Sequence, residues 1–240
     1  MTRLPRAVWS NAMAASTATA HTPSRECRVA HSTRVEEARL ARGEDRLAVI
    51  RLVDRTVAVI ADGAGGVSGG AIAANAICRA LDPQKASDSL DAAVGTSNWS
   101  DWLSRCDQKM AASGLGGLAA AVVVSISDDG TICGASVGDC EAWVFGQGAP
   151  LSLTDRQIRK PLLGEGDAHA VGFGTQLSGG TLVVASDGLW KYMAHERIAE
   201  IASMRPLELA AAMLVDGVRL RNGALQDDVA VMVCEVTWGR

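Results

Sequence analysis

Several features that define common protein classes are missing from this 240-residue chain. Its six cysteines include no CxxC pair, which argues against a structural zinc site. Its formal net charge is -4 and it has no cluster of basic residues, so nucleic acid is not an expected partner. No apolar run approaches the ~20 residues that a membrane-spanning helix needs, so a membrane is not an expected partner either.

The cysteines and the N-terminal residues bear on the compartment and on the domain organisation. Cys78 and Cys234 lie among apolar neighbours, and we interpret the cysteines as buried free thiols in a reducing compartment. Residues 1–24 contain Arg3 and Arg6 but lack the apolar stretch of a secretory signal, which predicts a flexible N-terminal tail. The expected organisation is this tail followed by a single domain over residues 25–240, in the cytoplasm.

Apolar runs and turn residues predict the order of helices and strands. Residues 47–53 and 56–61 are strand-like and are separated by a two-residue turn, so they predict an antiparallel β-hairpin. Residues 155–180 are rich in glycine and predict a mobile surface loop. Further strands are predicted at 118–126, 131–137, 141–145, 181–186 and 229–236, and helices at 69–81, 88–112, 189–202 and 206–220.

The order of these elements favours one fold class. Helices and strands do not alternate, which argues against a doubly wound parallel sheet. Antiparallel sheets flanked by helices, an α+β fold, fit the order better. A hydrophobic content of 48% in a chain of this length is enough to bury one sizeable core.

Acidic residues recur at the ends of the predicted strands. A carboxylate at such a position is costly unless its charge is compensated, and several carboxylates together repel one another. A divalent cation is the simplest compensation, and ligands that are all oxygen favour magnesium or manganese over zinc. Turn formation is the alternative, because Asp-Gly is a common turn dipeptide. The candidates are Glu44, Asp45, Asp62, Asp139, Asp187, Asp227 and Asp228.

A glycine-rich segment, residues 63–70, follows the predicted strand that ends at Asp62 and precedes a predicted helix. It is similar to the turn of a dinucleotide-binding fold, and Asp82 lies at about the right distance downstream. The context differs, because Ser68 stands where the third glycine should fall and Asp82 ends a helix instead of a second parallel strand. We therefore do not predict a nucleotide site.

Four short motifs carry most of the acidic residues. In chain order they are Asp62-Gly-Ala-Gly-Gly66, Gly138-Asp139-Cys-Glu-Ala, Ala185-Ser-Asp187-Gly-Leu-Trp190 and Asp227-Asp-Val-Ala-Val231. Together they resemble the signature motifs of the protein phosphatase 2C family, over roughly residues 30–237. The resemblance implies a four-layer αββα sandwich, in which helix pairs flank two central antiparallel sheets. It also implies two metal ions, Mn2+ or Mg2+, at one end of the sandwich.

The resemblance implies a role for each acid of these motifs. Asp62 would bridge the two metal ions, and the carbonyl oxygen of Gly63 would bind one of them. Asp187 and Asp227 would complete the shell of one metal ion. Asp139 matches the acid that holds a third, weaker metal ion in the family.

The resemblance also implies a role for residues before the first hairpin, and a reaction. Glu44, supported by Asp45, would serve the other metal ion. The implied reaction is in-line attack on phosphorus by a water that two cations activate, so no phosphoenzyme is expected. The chain has no Cys-x5-Arg signature, which argues against a cysteine-based phosphatase.

Three positions depart from the family pattern. Ala64 replaces the histidine that is a candidate general acid in many members, which leaves the general acid open. Leu40 replaces the phosphate-binding arginine; Arg42 keeps the same strand parity and is our candidate for that role, whereas Arg39 would need a bulge. Asp228 replaces the usual asparagine, as in related bacterial phosphatases that act on regulators of sigma factors.

The sequence therefore predicts a short, bacterial-type phosphatase that hydrolyses phosphoserine and phosphothreonine in proteins. The expected partner is a phosphoprotein substrate, and the enzyme would reverse phosphorylation by a serine/threonine kinase. Two alternatives remain open: a regulatory binding module that keeps the fold without turnover, and an enzyme that acts on small phosphoesters.

Overall fold

Two antiparallel five-stranded sheets form the centre of the protein. The computed structural model describes residues 27–38, 43–64, 69–81, 96–114, 116–146 and 148–238. The predicted N-terminal tail, Arg39, Leu40 and Arg42 lie outside the described residues. The strands are β1 Cys27–Glu36, β2 Arg46–Arg51, β3 Arg55–Ala64, β4 Leu118–Ser127, β5 Thr131–Val137, β6 Glu141–Phe145, β7 Leu151–Ser152, β8 Val171–Gln176, β9 Thr181–Ala185 and β10 Val229–Trp238.

The strands divide into two sheets, and the chain crosses between them several times. Sheet 1 has the order β1-β10-β9-β6-β7, and sheet 2 has the order β2-β3-β4-β5-β8. The predicted hairpin is confirmed, since β2 pairs with β3 antiparallel and Arg51 lies opposite Thr56. The chain passes from sheet 1 to sheet 2 between β1 and β2, and returns to sheet 1 between β5 and β6.

Helices cover the outer faces of both sheets. The helices are α1 Gly69–Ala80, α2 Thr96–Ser113, α3 Asp187–Trp190, α4 His195–Ala202 and α5 Leu207–Asp216. Side chains of α1 and α2, such as Ile77 and Leu103, share a core with sheet 2. Side chains of α4 and α5, such as Ile198 and Leu214, share a core with sheet 1. The predicted four-layer α+β sandwich is therefore confirmed.

The apolar runs of the central strands are continuous because both faces of each sheet are buried. Val57 and Val59 of β3 point to the helix side, and Ala58 and Ile60 point to the opposite sheet. All four side chains are at most 2% exposed. Full burial of such side chains contributes about 1.5–3 kcal/mol each, so the sandwich rests mainly on these runs.

Strand β1 was not predicted. It pairs with β10 along its whole length, from Cys27 opposite Trp238 to Glu36 opposite Val229. It forms an edge of sheet 1, and an edge strand does not need a continuous apolar run. Its mixture of arginine, histidine, serine and threonine therefore hides the strand from a search for apolar periodicity.

The prediction of a surface loop over 155–180 is wrong for Val171–Gln176, which forms strand β8 at the edge of sheet 2. Gly172 and Gly174 weaken the strand signal in the sequence, because glycine has no side chain to pack. The ring of Phe173 instead covers Gly134 on the neighbouring strand, where an added Cβ would lie 2.7 Å from ring atom Cε2.

Asp107 of α2 ties the segment before β8 to the rest of the sandwich. Its carboxylate is 2% exposed and accepts backbone N–H bonds from Gly164 at 2.7 Å, Gly166 at 2.9 Å and Ala168 at 2.9 Å. Gly164 and Gly166 have φ of 107° and 93°, a conformation that side chains with a Cβ disfavour. A buried carboxylate therefore replaces regular secondary structure as the anchor of this segment.

Replacing Asp107 by alanine is expected to lower the unfolding free energy by about 3 kcal/mol, because three N–H groups lose a charged acceptor. The melting temperature should fall by roughly 5–10 °C in a thermal unfolding experiment. Asp101→Ala, an exposed aspartate of the same helix, is the matched control and should melt close to the wild type. Equal melting temperatures for the two variants would refute the anchoring role.

Most of the described cysteine thiols are buried. Cys78 is half-buried, the other four are buried, and none of the five forms a disulfide bond: Cys78, Cys106, Cys133, Cys140 and Cys234. Burial raises the pKa of the Cys106 and Cys234 thiols to about 12, which disfavours their reactive thiolate form. Within the described residues, no helix combines the length and the hydropathy needed to cross a membrane.

Candidate metal centre

Three aspartates from separate parts of the chain meet at one end of the sandwich. Asp62 lies near the end of β3, Asp139 lies in the turn between β5 and β6, and Asp187 begins α3 directly after β9. One carboxylate oxygen of each lies within 4.8 Å of the other two. This spacing is suited to carboxylates that share divalent cations, and ligands that are all oxygen favour hard ions such as Mg2+ and Mn2+.

Glycines make this convergence possible. Gly138 has φ of 90°, and a Cβ there would overlap the side chain of Ala120, the residue opposite Asp62 in the β3–β4 ladder. Gly188 packs against the carbonyl oxygen of Asp228, where no Cβ fits. The glycines beside Asp139 and Asp187 therefore let neighbouring backbones approach closely enough to bring the two carboxylates together.

Asp62 carries the strongest sign of charge crowding. Burial, together with the nearby carboxylates of Asp45, Asp187, Asp139 and Asp227, raises the pKa of Asp62 to about 9. In the metal-free protein this acid therefore holds a proton at neutral pH, in a place where a cation would allow it to ionise. The described residues thus fit the metal that the sequence predicts.

Asp187 has a partner of opposite charge. It is 8% exposed, and burial raises its pKa while the ammonium group of Lys191 opposes that rise. Lys191 Nζ forms an ion pair with Asp187 Oδ2 and lies 3.7 Å from Asp227 Oδ2. Asp227 therefore belongs to the same group of charges, connected to Asp187 through the lysine.

Asp45 is buried and is hydrogen-bonded by the serine that follows β9. Its side chain is 2% exposed, and Ser186 Oγ donates a hydrogen bond of 2.5 Å to Asp45 Oδ2. The Ser186 hydroxyl in turn accepts the backbone N–H of Ala230 at 2.9 Å. Burial raises the pKa of Asp45 to about 7, the Ser186 hydrogen bond opposes this, and the charges of Asp228 and Asp187 add to it.

Glu44 precedes β2, and its side chain reaches the N-terminus of α1. Its carboxylate accepts the backbone N–H of Ala71, and a Cβ at Gly70 would lie 2.6 Å from Glu44 Oε1. Burial and the charge of Asp228 raise its pKa, and the Ala71 hydrogen bond opposes this. Glu44 is not part of the three-aspartate group, and the carboxylate at this helix N-terminus is stabilised by the helix dipole.

Asp228 fastens the chain on both sides of the four residues between Ala38 and Gly43. Asp228 Oδ1 accepts the N–H of Ala38 at 2.7 Å, and Asp228 Oδ2 accepts the N–H of Glu44 at 2.6 Å. An asparagine could accept with one oxygen, so aspartate suits this double acceptor role. Arg42, the predicted phosphate ligand, lies outside the described residues.

Gly63, directly after Asp62, lets the end of β3 pack against the start of α1. A Cβ at Gly63 would overlap the backbone of Gly70, so only glycine lets the end of β3 meet the first turn of α1. The two antiparallel neighbours of β3, which are β2 and β4, rule out the parallel unit of a dinucleotide-binding fold at this turn.

Sequence reasoning missed the roles of Ser186 and Lys191. Ser186 precedes Asp187 in the motif of residues 185–190, but its partner Asp45 is 141 positions away in the chain. Lys191 follows Asp187 by four positions, and a helix places residues four apart side by side. The spacing of Asp187 and Lys191 was therefore a usable signal, whereas the Ser186–Asp45 contact had none.

The chain has the fold of the PPM-type serine/threonine phosphatases, as its resemblance to the protein phosphatase 2C family predicts. The catalytic domain of the phosphatase PstP, in complex with two manganese ions, matches with a TM-score of 0.71 and 17% identity over 88% of this chain and 99% of that chain. RsbX, in complex with magnesium, matches with a TM-score of 0.66 and 15% identity over 87% and 96% of the two chains.

One relative is also found by sequence. It is "Probable protein phosphatase 2C 33" of Oryza sativa subsp. japonica, 28% identical over 106 residues. The match spans 44% of this chain and 24% of the rice protein. No protein-family model matches the chain. At these identities the neighbours establish the fold, and the activity of this chain depends on its own residues.

Proposed function

We propose that the protein is a metal-dependent phosphatase that hydrolyses phosphoserine and phosphothreonine in proteins. The observation that carries this proposal is the convergence of Asp62, Asp139 and Asp187, with oxygens within 4.8 Å of one another, on a phosphatase fold. Asp62 shows the effect of this crowding, because burial and the neighbouring carboxylates raise its pKa to about 9.

The proposed ligands are the strand-end acids. Asp62, Asp139 and Asp187 would hold two Mn2+ or Mg2+ ions and a third, weaker one, with Asp227 beside them. Bound divalent cations lower the pKa of a water molecule and neutralise charge on a phosphoryl group. Asp45 would support the site without binding a metal ion directly, because Ser186 donates a hydrogen bond to one of its oxygens and fixes its orientation.

Two further predicted roles belong to residues near the first hairpin. Gly63 would offer its carbonyl oxygen, since the close packing of β3 on α1 fixes its backbone. Glu44 would contribute its carboxylate, which lies at the N-terminus of α1, while Asp228 binds its backbone N–H. Arg42 would donate to the phosphoryl oxygens as a cationic group. We assign no general acid, since Ala64 stands where the family has histidine.

A protein substrate is proposed because the structural neighbours are described as serine/threonine phosphatases. The opposing serine/threonine kinase and the cytoplasmic location are part of the same proposal. The regulatory binding module is the second candidate, and one specific observation favours it: Lys191 occupies an oxygen of Asp187 that a metal ion needs.

The test is phosphate release from a phosphothreonine peptide with Mn2+, with Mg2+ and with excess chelator. The expected result is release that requires a metal and stops with chelator. A small aryl phosphate in parallel distinguishes a protein phosphatase from an enzyme for small phosphoesters. Folded protein that binds Mn2+ and releases no phosphate from either substrate would favour the binding module instead.

A further inference from the structure

A lysine side chain occupies one edge of the aspartate cluster. Lys191 Nζ forms an ion pair with Asp187 Oδ2 and lies 3.7 Å from Asp227 Oδ2. The four-residue spacing between Asp187 and Lys191 places the two side chains on one face of the chain at α3. The ammonium group therefore sits on oxygens that are proposed metal ligands.

Arg46, another cation near the acids among the described residues, contacts other groups. Arg46 donates from Nη1 to the carbonyl oxygens of Gly43 at 2.9 Å and Asp45 at 2.7 Å, and from Nε to Asn75 Oδ1 at 3.3 Å. These contacts hold the backbone before β2 and leave the carboxylates of the cluster alone. Of Lys191 and Arg46, only Lys191 therefore contacts the carboxylates of the cluster directly.

Competition follows from charge and from shared oxygens. A carboxylate oxygen in contact with an ammonium group must give up that contact to bind a divalent cation, and the two cations repel each other at such short range. The Lys191 side chain is 50% exposed, and its flexible four-carbon stem can carry the charge into solvent. Exchange between lysine and metal needs no rearrangement of the core.

We infer that Lys191 is an internal counter-cation that competes with divalent metal ions for the Asp187–Asp227 edge of the cluster. It neutralises part of the negative charge in the metal-free protein, and it must leave these oxygens when that edge takes up a metal ion. The inference rests on the proposed metal-dependent function. Its consequence is that this chain binds metal more weakly than its acidic residues alone would allow.

The experiment is a calorimetric titration of Mn2+ into metal-depleted protein at pH 7. Wild type is compared with Lys191→Met, which keeps the apolar stem and removes the charge, and with Lys109→Met, an exposed lysine of α2. Lys191→Met is expected to bind Mn2+ about tenfold more tightly or better, because one repelling charge is gone. Lys109→Met should match the wild type.

A second readout follows the side chain itself. The chain has four lysines, so lysine side-chain signals are few enough to assign by NMR. The Lys191 signal should move on addition of Mg2+, while that of Lys109 stays in place. Lys191→Gln, which keeps a polar side chain, serves as a second variant if the methionine variant does not fold by circular dichroism.

The possible results separate this inference from the proposed function. Equal or weaker Mn2+ binding by the folded Lys191 variants, compared with wild type, overturns the competition and leaves the metal site standing. No Mn2+ binding by any variant, wild type included, overturns the proposed metal-dependent function itself. Tighter binding confined to the Lys191 variants supports both.

Discussion

Asp62→Asn is expected to lower metal-dependent phosphate release by about 10³-fold, equivalent to about 4 kcal/mol of transition-state stabilisation. The same substitution should raise the melting temperature of the metal-free protein at pH 7 by roughly 5 °C. The gain arises because the folded protein must protonate Asp62, whose pKa is about 9, whereas the unfolded chain ionises it freely. Asparagine is neutral in both states and avoids this cost.

Phosphate release and differential scanning calorimetry measure the two effects on one preparation. Asp101→Asn, an exposed aspartate on α2, is the matched control and should leave both quantities at their wild-type values. Retained turnover in Asp62→Asn at saturating Mn2+ would remove Asp62 from the metal site. A lower melting temperature without metal would show that the carboxylate stabilises the fold by some other contact.

The metal-free protein is expected to lose stability as the pH rises. Asp62 and Asp45 have folded-state pKa values of about 9 and about 7, both above the value near 4 of an unfolded aspartate. Groups with raised pKa values contribute fully below the unfolded pKa, and this contribution is lost as the pH rises through the folded pKa values. Between pH 5 and pH 9 the melting temperature should therefore fall, by roughly 5–10 °C.

Saturating Mn2+ should flatten this dependence, because a cation replaces the protons as the compensating charge. Melting curves at pH 5, 6, 7, 8 and 9, with chelator and with Mn2+, provide the measurement. Asp62→Asn should remove part of the slope in chelator, and Asp101→Asn should keep all of it. A metal-free melting temperature that is constant or rises between pH 6 and pH 9 would contradict the raised pKa values.

The fold was largely readable from the sequence where strands are buried on both faces. The runs that became β3, β4 and β9 are continuous and apolar because each lies between another sheet and a helix layer. Strands β1 and β8 were missed, since edge strands are held by backbone pairing and their side chains are free to be polar or glycine. A pattern of side chains cannot report a backbone contact.

The site was readable to the extent that its chemistry lies in short motifs. Asp62, Asp139 and Asp187 each stand beside a glycine, and the structure brings these three together. Contacts between distant parts of the chain were not readable, such as Ser186 with Asp45 and Asp228 with Ala38. The Ser186–Asp45 contact depends on how the two sheets are aligned, and the Asp228–Ala38 contact depends on the pairing of β1 with β10. Local sequence encodes neither arrangement.

The acidic residues stand on both sides of the seam between the sheets. Asp62 belongs to sheet 2, Asp187 follows a strand of sheet 1, and Asp139 lies where the chain crosses between them. The distance between their oxygens is therefore set by the thickness of the interior that contains Ile60 and Leu182. Mg2+ demands stricter geometry than larger ions, so the bulk of these remote hydrocarbon side chains helps to determine which ion the protein prefers.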